Sequence, residues 1–498
     1  VIPQRLVGTE TEYGLAIEGR GASEQLGDAA AVVRAYPGPA FEGWDYRFES
    51  PRRDLRGFTV DRLQLDPVDQ QFERTAPPDE DTRADRVLAN GARLYNDHGH
   101  PEYATPECFS ARRAAQHDHA GEIAAWRAAQ AYAERGGASV SLYKNNTDYH
   151  GASYGTHENY LVPRSLGYQK VFSAVLPILV ARTVLCGAGK VGSENGPWCD
   201  FQLSQRADFL VETASLETLY RRPIFNSRDE PHADPAHWMR LHVICGDANR
   251  SSLVTERKLG LVRLALHLAE VGEAPQWDLT SPVQAFHDVS RAVSREARIE
   301  VRGRSWTTAC HILHSYFDAA ERAFPLCTPA VASDQGLQEM RSLIDECRDA
   351  LDAMQRDPDS LRAVTEWSAK RAFMEEYMTA EGVGWKDPVM RALDLEYHRI
   401  HPEDGLYETL ERIGAAPRGL EPFDADDWLG AIEPTRAGIR AIAIQKLQPH
   451  LRSVSWGCLR VESGGEAESL TLDATRTCDG DLATVRDVKE FIDCLSQP

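Results

Sequence analysis

None of the ten cysteines has a C-x-x-C neighbour; they lie scattered at Cys108, Cys186, Cys199, Cys245, Cys310, Cys327, Cys347, Cys458, Cys478 and Cys494. Such scatter argues against a zinc ribbon or a disulfide framework and suits a reducing compartment. Long apolar runs are missing too. The most apolar stretch, VFSAVLPILVARTVLCG, is broken by Pro177 and Arg182 and is too short to cross a bilayer. The opening VIPQRLVG has no basic segment leading into an apolar one, so no secretory signal is read there. Basic residues are in deficit, 55 against 76 acidic ones for a net charge of −21, which disfavours nonspecific attraction to nucleic acid or an anionic membrane. CGAGKVG holds a Gly-Lys pair without the glycine loop and following Ser or Thr of a P-loop. His232, His237 and His242, five apart, do not align on a helix face for zinc. A soluble, cytoplasmic, monomeric protein is expected.

What is present is enough apolar sequence, 42% of 498 residues, for a sizeable core. Residues 1–419 read as one large domain and 420–498 as a small second one. Residues 37–86 read as an insert. Its first half sets Trp44, Tyr46, Phe48 and Phe58 among charged residues and is expected to be ordered and to dock; Leu63 to Thr82 is expected to be disordered. SARRAAQHDHAGEIAAWRAAQAYAERGG predicts a long Ala-rich helix stopped by Gly136 and Gly137. Helical periodicity dominates from Arg257 to about Ile400. The small domain predicts a helix in PTRAGIRAIAIQKLQ, short strands in RSVSWGCLRVE and a closing helix in LATVRDVKEFIDCL.

Three groups of residues carry chemistry. In LVGTETEYG, Glu10 and Glu12 stand two apart and share a face if the segment is a strand; in ARLYNDHGH, Arg93, Tyr95 and Asp97 do the same. With Glu102 they offer the oxygen ligands that magnesium prefers, beside a guanidinium suited to phosphate. Spacing alone leaves open a pair of surface strands with solvated charges. A second group, Lys144, Asn145, Asn146, His157, Glu158 and Asn159, crowds a glycine-bearing loop between two strands. The third, Arg206, Arg221, Arg222 and Arg228, suits bidentate binding of phosphate or carboxylate.

In order along the chain, GTETEYG, NGARLY, HPEYATPE, YKNNTD, SYGTHENY, LSQRAD, NSRDEPHAD and RLHVICGDAN resemble motifs of the family that contains the Pup ligase and the Pup deamidase/depupylase, enzymes acting on the prokaryotic ubiquitin-like protein Pup. The resemblance implies an α+β fold similar to glutamine synthetase: a large domain with a curved antiparallel sheet backed by helices, and a small C-terminal domain. It implies magnesium on Glu10, Tyr95 and Glu102, ATP contacts on Arg93, Thr105 and Trp456, and catalysis at Asp97. Glu12, His157 and His242 would belong to a second metal and phosphate environment. WDYRFESPRRDLRGF resembles the start of a loop found in the deamidase/depupylase and absent from the ligase, so the expected activity is amide hydrolysis on Pup and pupylated proteins. The alternatives are ATP-consuming ligation of Pup, a small-molecule carboxylate-amine ligase, and a non-catalytic Pup-binding adaptor. Asn96 replaces a usually apolar residue of the family and, by alternation, faces away from the cleft.

Overall fold

The computed structural model describes residues 5–49, 51–64, 83–136, 138–293, 297–324, 334–356 and 358–496. The strands are β1 (Val7–Glu12), β2 (Gly14–Ile17), β3 (Ala40–Phe41), β4 (Asp85–Leu88), β5 (Arg93–Asp97), β6 (His100–Ala104), β7 (Val140–Tyr143), β8 (Thr156–Pro163), β9 (Lys190–Val191), β10 (Phe201–Gln202), β11 (Leu210–Ser215), β12 (Arg222–Asn226), β13 (Trp238–Val243), β14 (Ile299–Val301), β15 (Arg304–Thr307), β16 (Leu451–Val454), β17 (Cys458–Ser463) and β18 (Glu466–Thr471). Nine form one sheet in the order β11-β12-β13-β8-β1-β6-β5-β4-β3. The expected antiparallel sheet is in fact mixed, because β11 runs parallel to β12 at its edge.

The helix Ala111–Gly136 covers one face of the sheet. Alanines hold it in helical form and keep its buried side thin, and Gly121 lets it come closest: a Cβ there would sit 2.0 Å from the Tyr103 ring of β6. Helices Tyr168–Ala181, Ser252–Val271 and Ala309–Ala323 extend this layer over a core that includes Val162, Leu179, Leu241, Leu264 and Phe317. Within the helical stretch the β14–β15 hairpin was not anticipated; Val301 and Thr307 are β-branched, and Gly303 turns with φ +74°. β7 pairs with β2 rather than with β8.

The small C-terminal unit packs the helix Arg436–Leu447 against β16-β17-β18. Its apolar cluster of Ile439, Ile442, Val454, Val461 and Phe491 is completed by Phe41, Trp44 and Val87 from the N-terminal part of the chain. Leu429, in contrast, packs with Tyr103 and the alanines of helix Ala111–Gly136. The expected closing helix is two, Gly480–Thr484 and Val488–Ser496. Asp487 starts the second by accepting from the backbone of Lys489 and Glu490 at 3.0 and 2.9 Å.

The described part of the insert is a strap. Trp44 bridges to Val454, Asp54 bridges to Arg228, and Leu55 N donates to Ser227 O at 2.7 Å. Trp44 and Tyr46 dock, as expected, whereas Phe48 and Phe58 are 56% and 45% exposed, with Arg47 and Arg56 stacked on them. Of the segment expected to be disordered, residues 65–82 lie outside the described residues.

Candidate active site

Strand alternation sends every second side chain toward the cleft on the face opposite the helices. β1 contributes Glu10 and Glu12, β6 His100 and Glu102, β5 Arg93, Tyr95 and Asp97, β8 His157 and Asn159, and β13 Arg240 and His242. Register then selects neighbours. Glu12 and Tyr95 both stand opposite Glu102, Glu10 opposite His157, and Asn159 opposite His242.

Two clusters result. Carboxylate oxygens of Glu12, Asp97 and Glu102 lie within 4.8 Å of one another, and so do the ligand atoms of Glu10, His157 and His242. The Tyr95 hydroxyl donates to Glu102 Oε1. His157 stands between the clusters, Nδ1 3.5 Å from Glu10 Oε2 and Nε2 3.9 Å from Glu12 Oε1. Gly155 leaves room for this ring, since a Cβ there would fall 2.0 Å from His157 Nε2. The resemblance grouped Glu10 with Tyr95 and Glu102; the geometry instead places Glu10 with the two histidines and Glu12 beside Glu102. The cause is strand rise, which separates residues two apart by about 6.5–7 Å and so sends the two glutamates to different clusters.

Electrostatics mark this face as short of positive charge. Burial, with Asp97, Glu12 and Glu10 nearby, holds the Glu102 carboxyl well above the usual range. Burial also raises Glu10, but the His157 and His242 rings, each with a nitrogen 3.5 Å from Oε2, and the nearby Arg240 outweigh it and hold Glu10 well below. Asp97 is likewise pushed up by burial and pulled further down by His98, His157 and His100, to about 2; His98 Nδ1 is 3.1 Å from Asp97 Oδ1. Burial and Arg240 take His242 down to about 3, so the ring is neutral at pH 7. It is 2% exposed, yet neither ring nitrogen makes a hydrogen bond. A neutral buried imidazole with lone-pair capacity, and carboxylates crowded with few cations, fit divalent metal ions: an all-oxygen set suits magnesium, and the Glu-His-His set suits manganese as well.

The cleft continues past Glu10 into a solvent-connected pocket lined by Gly8, Thr105, Glu107, His232, Arg436 and Trp456, among others. Thr105 Oγ1 accepts from Thr9 N at 3.0 Å. Glu107 accepts from Arg436 Nε at 2.7 Å and from Arg440, which ties this wall to the small C-terminal unit. Arg93 is buried under the strap, its guanidinium 4.2 Å from the Trp44 ring and 3.9 Å from Tyr95, with Nε donating to Asp85 at 2.7 Å.

Every residue singled out from the resemblance thus faces this cleft. The wider candidates separate. Lys144 and Glu158 point to the helix side, paired with Asp118 and Arg182, and Arg221 is at the surface with Glu212. Several lining residues were missed, Arg436 among them. His100 and Arg240 stand two residues before Glu102 and His242, so strand period alone would have found them; His232 and Glu107 lie in connections, where no period applies. Asn96 does face away, donating to Leu26 O at 3.2 Å.

A mixed sheet carrying carboxylates and histidines, backed by helices and flanked by a small C-terminal sheet, defines a glutamine synthetase-like enzyme. The Pup-ligase protein family matches residues 5–460, and the chain belongs to it. A depupylase of Acidothermus cellulolyticus is 37% identical over 464 residues, 91% of this chain and 90% of that protein. A Pup deamidase/depupylase of Mycobacterium tuberculosis is 35% identical over 481 residues, 93% and 92% of the two chains. A Pup–protein ligase of Corynebacterium jeikeium is 35% identical over 414 residues, 80% and 88% of the two. Among solved structures, the ligase PafA in complex with Pup superimposes with a TM-score of 0.77 at 26% identity over 99% of this chain and 92% of that one. PafA in complex with ADP gives 0.73 at 27% identity over 88% and 95%.

Proposed function

We propose that the protein hydrolyses amides on Pup, converting a C-terminal glutamine to glutamate and cleaving the bond between Pup and a target lysine. The observation that carries the hydrolytic reading over ligation is the extent of sequence alignment: the depupylases align over 91–93% of the chain and the ligase over 80%, although the fold itself superimposes on a ligase over 99%. The strap of the insert, fixed across the cleft at Val454 and Arg228, supports it.

Amides are poor electrophiles, so the site needs an activated nucleophile and charge against the oxyanion. Asp97 is ionised at neutral pH and 37% exposed to the cleft. The step we assign is direct attack of Asp97 Oδ on the amide carbonyl. The C–N bond then breaks, the amine leaves with a proton taken from solvent, and water hydrolyses the acyl-aspartate to restore Asp97 and release the acid. Glu12, Glu102 and Tyr95 would hold one divalent ion, and Glu10, His157 and His242 a second. Magnesium bound there supplies positive charge against the oxyanion and the nucleotide phosphates. Thr105, Trp456 and Arg93 would contact ATP, supported by the ADP complex of PafA.

Among the described residues no helix is long and apolar enough to cross a membrane, and we assign a cytoplasmic, monomeric state. The test is to incubate the protein with ATP, magnesium and Pup ending in glutamine. A mass gain of about 1 Da on Pup with little ADP is expected for amide hydrolysis. ADP formation only when glutamate-ended Pup and a lysine-bearing protein are supplied would make the protein a ligase.

A further inference from the structure

The strand that presents Glu10 and Glu12 is held from behind by one buried carboxylate. Thr9 and Thr11 alternate with the two glutamates and point to the opposite face of β1, where both hydroxyls donate to Asp118 Oδ1, at 3.1 and 2.6 Å. Asp118 Oδ2 accepts from Lys144 Nζ at 2.6 Å. Asp118 and Lys144 are each 1% exposed and Thr11 is fully buried. A buried ion pair is a poor source of stability compared with packed apolar side chains of similar volume. Here the apolar solution is close at hand, because valine has the shape of threonine and the facing helix is rich in alanine. What the polar solution adds is direction: two hydroxyls on one oxygen set the height and twist of β1 over the helix. Thr9, Glu10, Thr11 and Glu12 move as one piece, since their side chains alternate on a single pleat.

We propose that Asp118 is a positioning residue for the cation sites. By holding Thr9 and Thr11 it keeps Glu10 in the His157–His242 cluster and Glu12 in the Asp97–Glu102 cluster. The inference rests on the cation reading of the cleft and not on which amide is cleaved. Groups that orient ligands in this way are worth about 10- to 100-fold in metal affinity or activity.

The test is Mn²⁺ titration of the full-length protein without substrate, followed by electron paramagnetic resonance of the free ion. Thr9→Val/Thr11→Val removes the hydroxyls and leaves the Asp118–Lys144 pair. It is expected to weaken Mn²⁺ binding at least tenfold, lower kcat and leave KM for Pup unchanged. Thr9→Ser/Thr11→Ser, which keeps the hydroxyls, should bind Mn²⁺ as the parent does. Unchanged affinity in the valine variant overturns the proposal, and so does an equal loss in both variants, which would assign the effect to packing. If the double valine variant fails to fold by circular dichroism, the single Thr11→Val, which removes the shorter hydrogen bond, is read in its place. A parent protein that binds no Mn²⁺ overturns the cation reading together with this proposal. A parent that binds Mn²⁺ but leaves glutamine-ended Pup intact sinks only the proposed substrate, and the affinities still decide the role of Asp118.

Discussion

On the helix side of the central sheet, Asp118 is paired with Lys144 at 2.6 Å, Glu122 with Arg250 at 2.7 Å and Glu158 with Arg182 at 2.6 Å. On the cleft side, only a few ångströms through the same strands, Glu10, Glu12, Asp97 and Glu102 share histidines and, among the described residues, a single guanidinium in ion-pair range, Arg240, which is 3.4 Å from Glu10 and also serves Glu230 at 3.7 Å, with Arg206 and Arg228 acting from farther away. Most of these carboxylates are buried, Asp97 being the most exposed. Matched charge on one face closes a structure, while unmatched charge on the other marks where ions from solution complete it. Removing charge should therefore damage stability on the first face and function on the second.

The largest expected effect is at Asp97. Asp97→Asn should lower amide cleavage by about a thousandfold or more while nucleotide affinity stays within about twofold; single-turnover assays with a nucleotide titration check it, and retained turnover removes Asp97 from the mechanism. On the helix face, Lys144→Met leaves Asp118 buried without its cation and should cost about 3–5 kcal/mol in urea unfolding. A loss too small to measure would break the comparison.

The wall between the cleft and the small C-terminal unit belongs to the matched class. Burial works against the Glu107 carboxylate, but Arg440 and Arg436 pull it down from 4.5 to about 2. A carboxylate depressed in the folded state contributes stability above its ordinary value, and that stability is lost as pH falls through the folded one. Glu107→Gln should accordingly flatten the acid limb of the stability curve between pH 4.5 and about 2, an effect of roughly 3 kcal/mol.

Two smaller effects sharpen the contrast. Trp456→Ala, at the pocket wall, should weaken nucleotide binding about tenfold by loss of an aromatic contact, measured by calorimetry. Glu102 has the opposite sign from Glu107. Its carboxyl is raised by burial and by like charges, so its stability contribution in the metal-free protein is lost as pH rises above the ordinary glutamate range. Glu102→Gln should thus raise the metal-free stability at neutral pH by on the order of 1 kcal/mol, and reduce the further stabilisation that Mn²⁺ gives the parent to that of the Glu10–His157–His242 site alone.

Much of this face was legible in the sequence because strand period is short and strict. Glu10 with Glu12, and Tyr95 with Asp97, could be placed together from spacing alone, and the resemblance supplied His157, His242 and Trp456 from distant parts of the chain. What spacing could not give was register. The pairing of Glu12 with Glu102 and of Glu10 with His157 depends on how β1 slides against β6 and β8. The helix face shows the converse limit. Lys144 read as a site candidate because a lysine beside asparagines and glycines looks functional, and only its contact with Asp118, from the preceding helix, assigns it to the scaffold. The β14–β15 hairpin and the break before Asp487 were missed because short strands and helix caps hang on single residues within otherwise helical sequence.

The most direct test of unmatched charge as a cation site is anomalous diffraction from crystals of the protein grown with Mn²⁺ and ADP. Two peaks are expected, one among Glu10, His157 and His242 and one beside Glu12 and Glu102. No peak on this face, or a peak among the fully buried Cys108, His117 and Glu433 instead, would contradict the account.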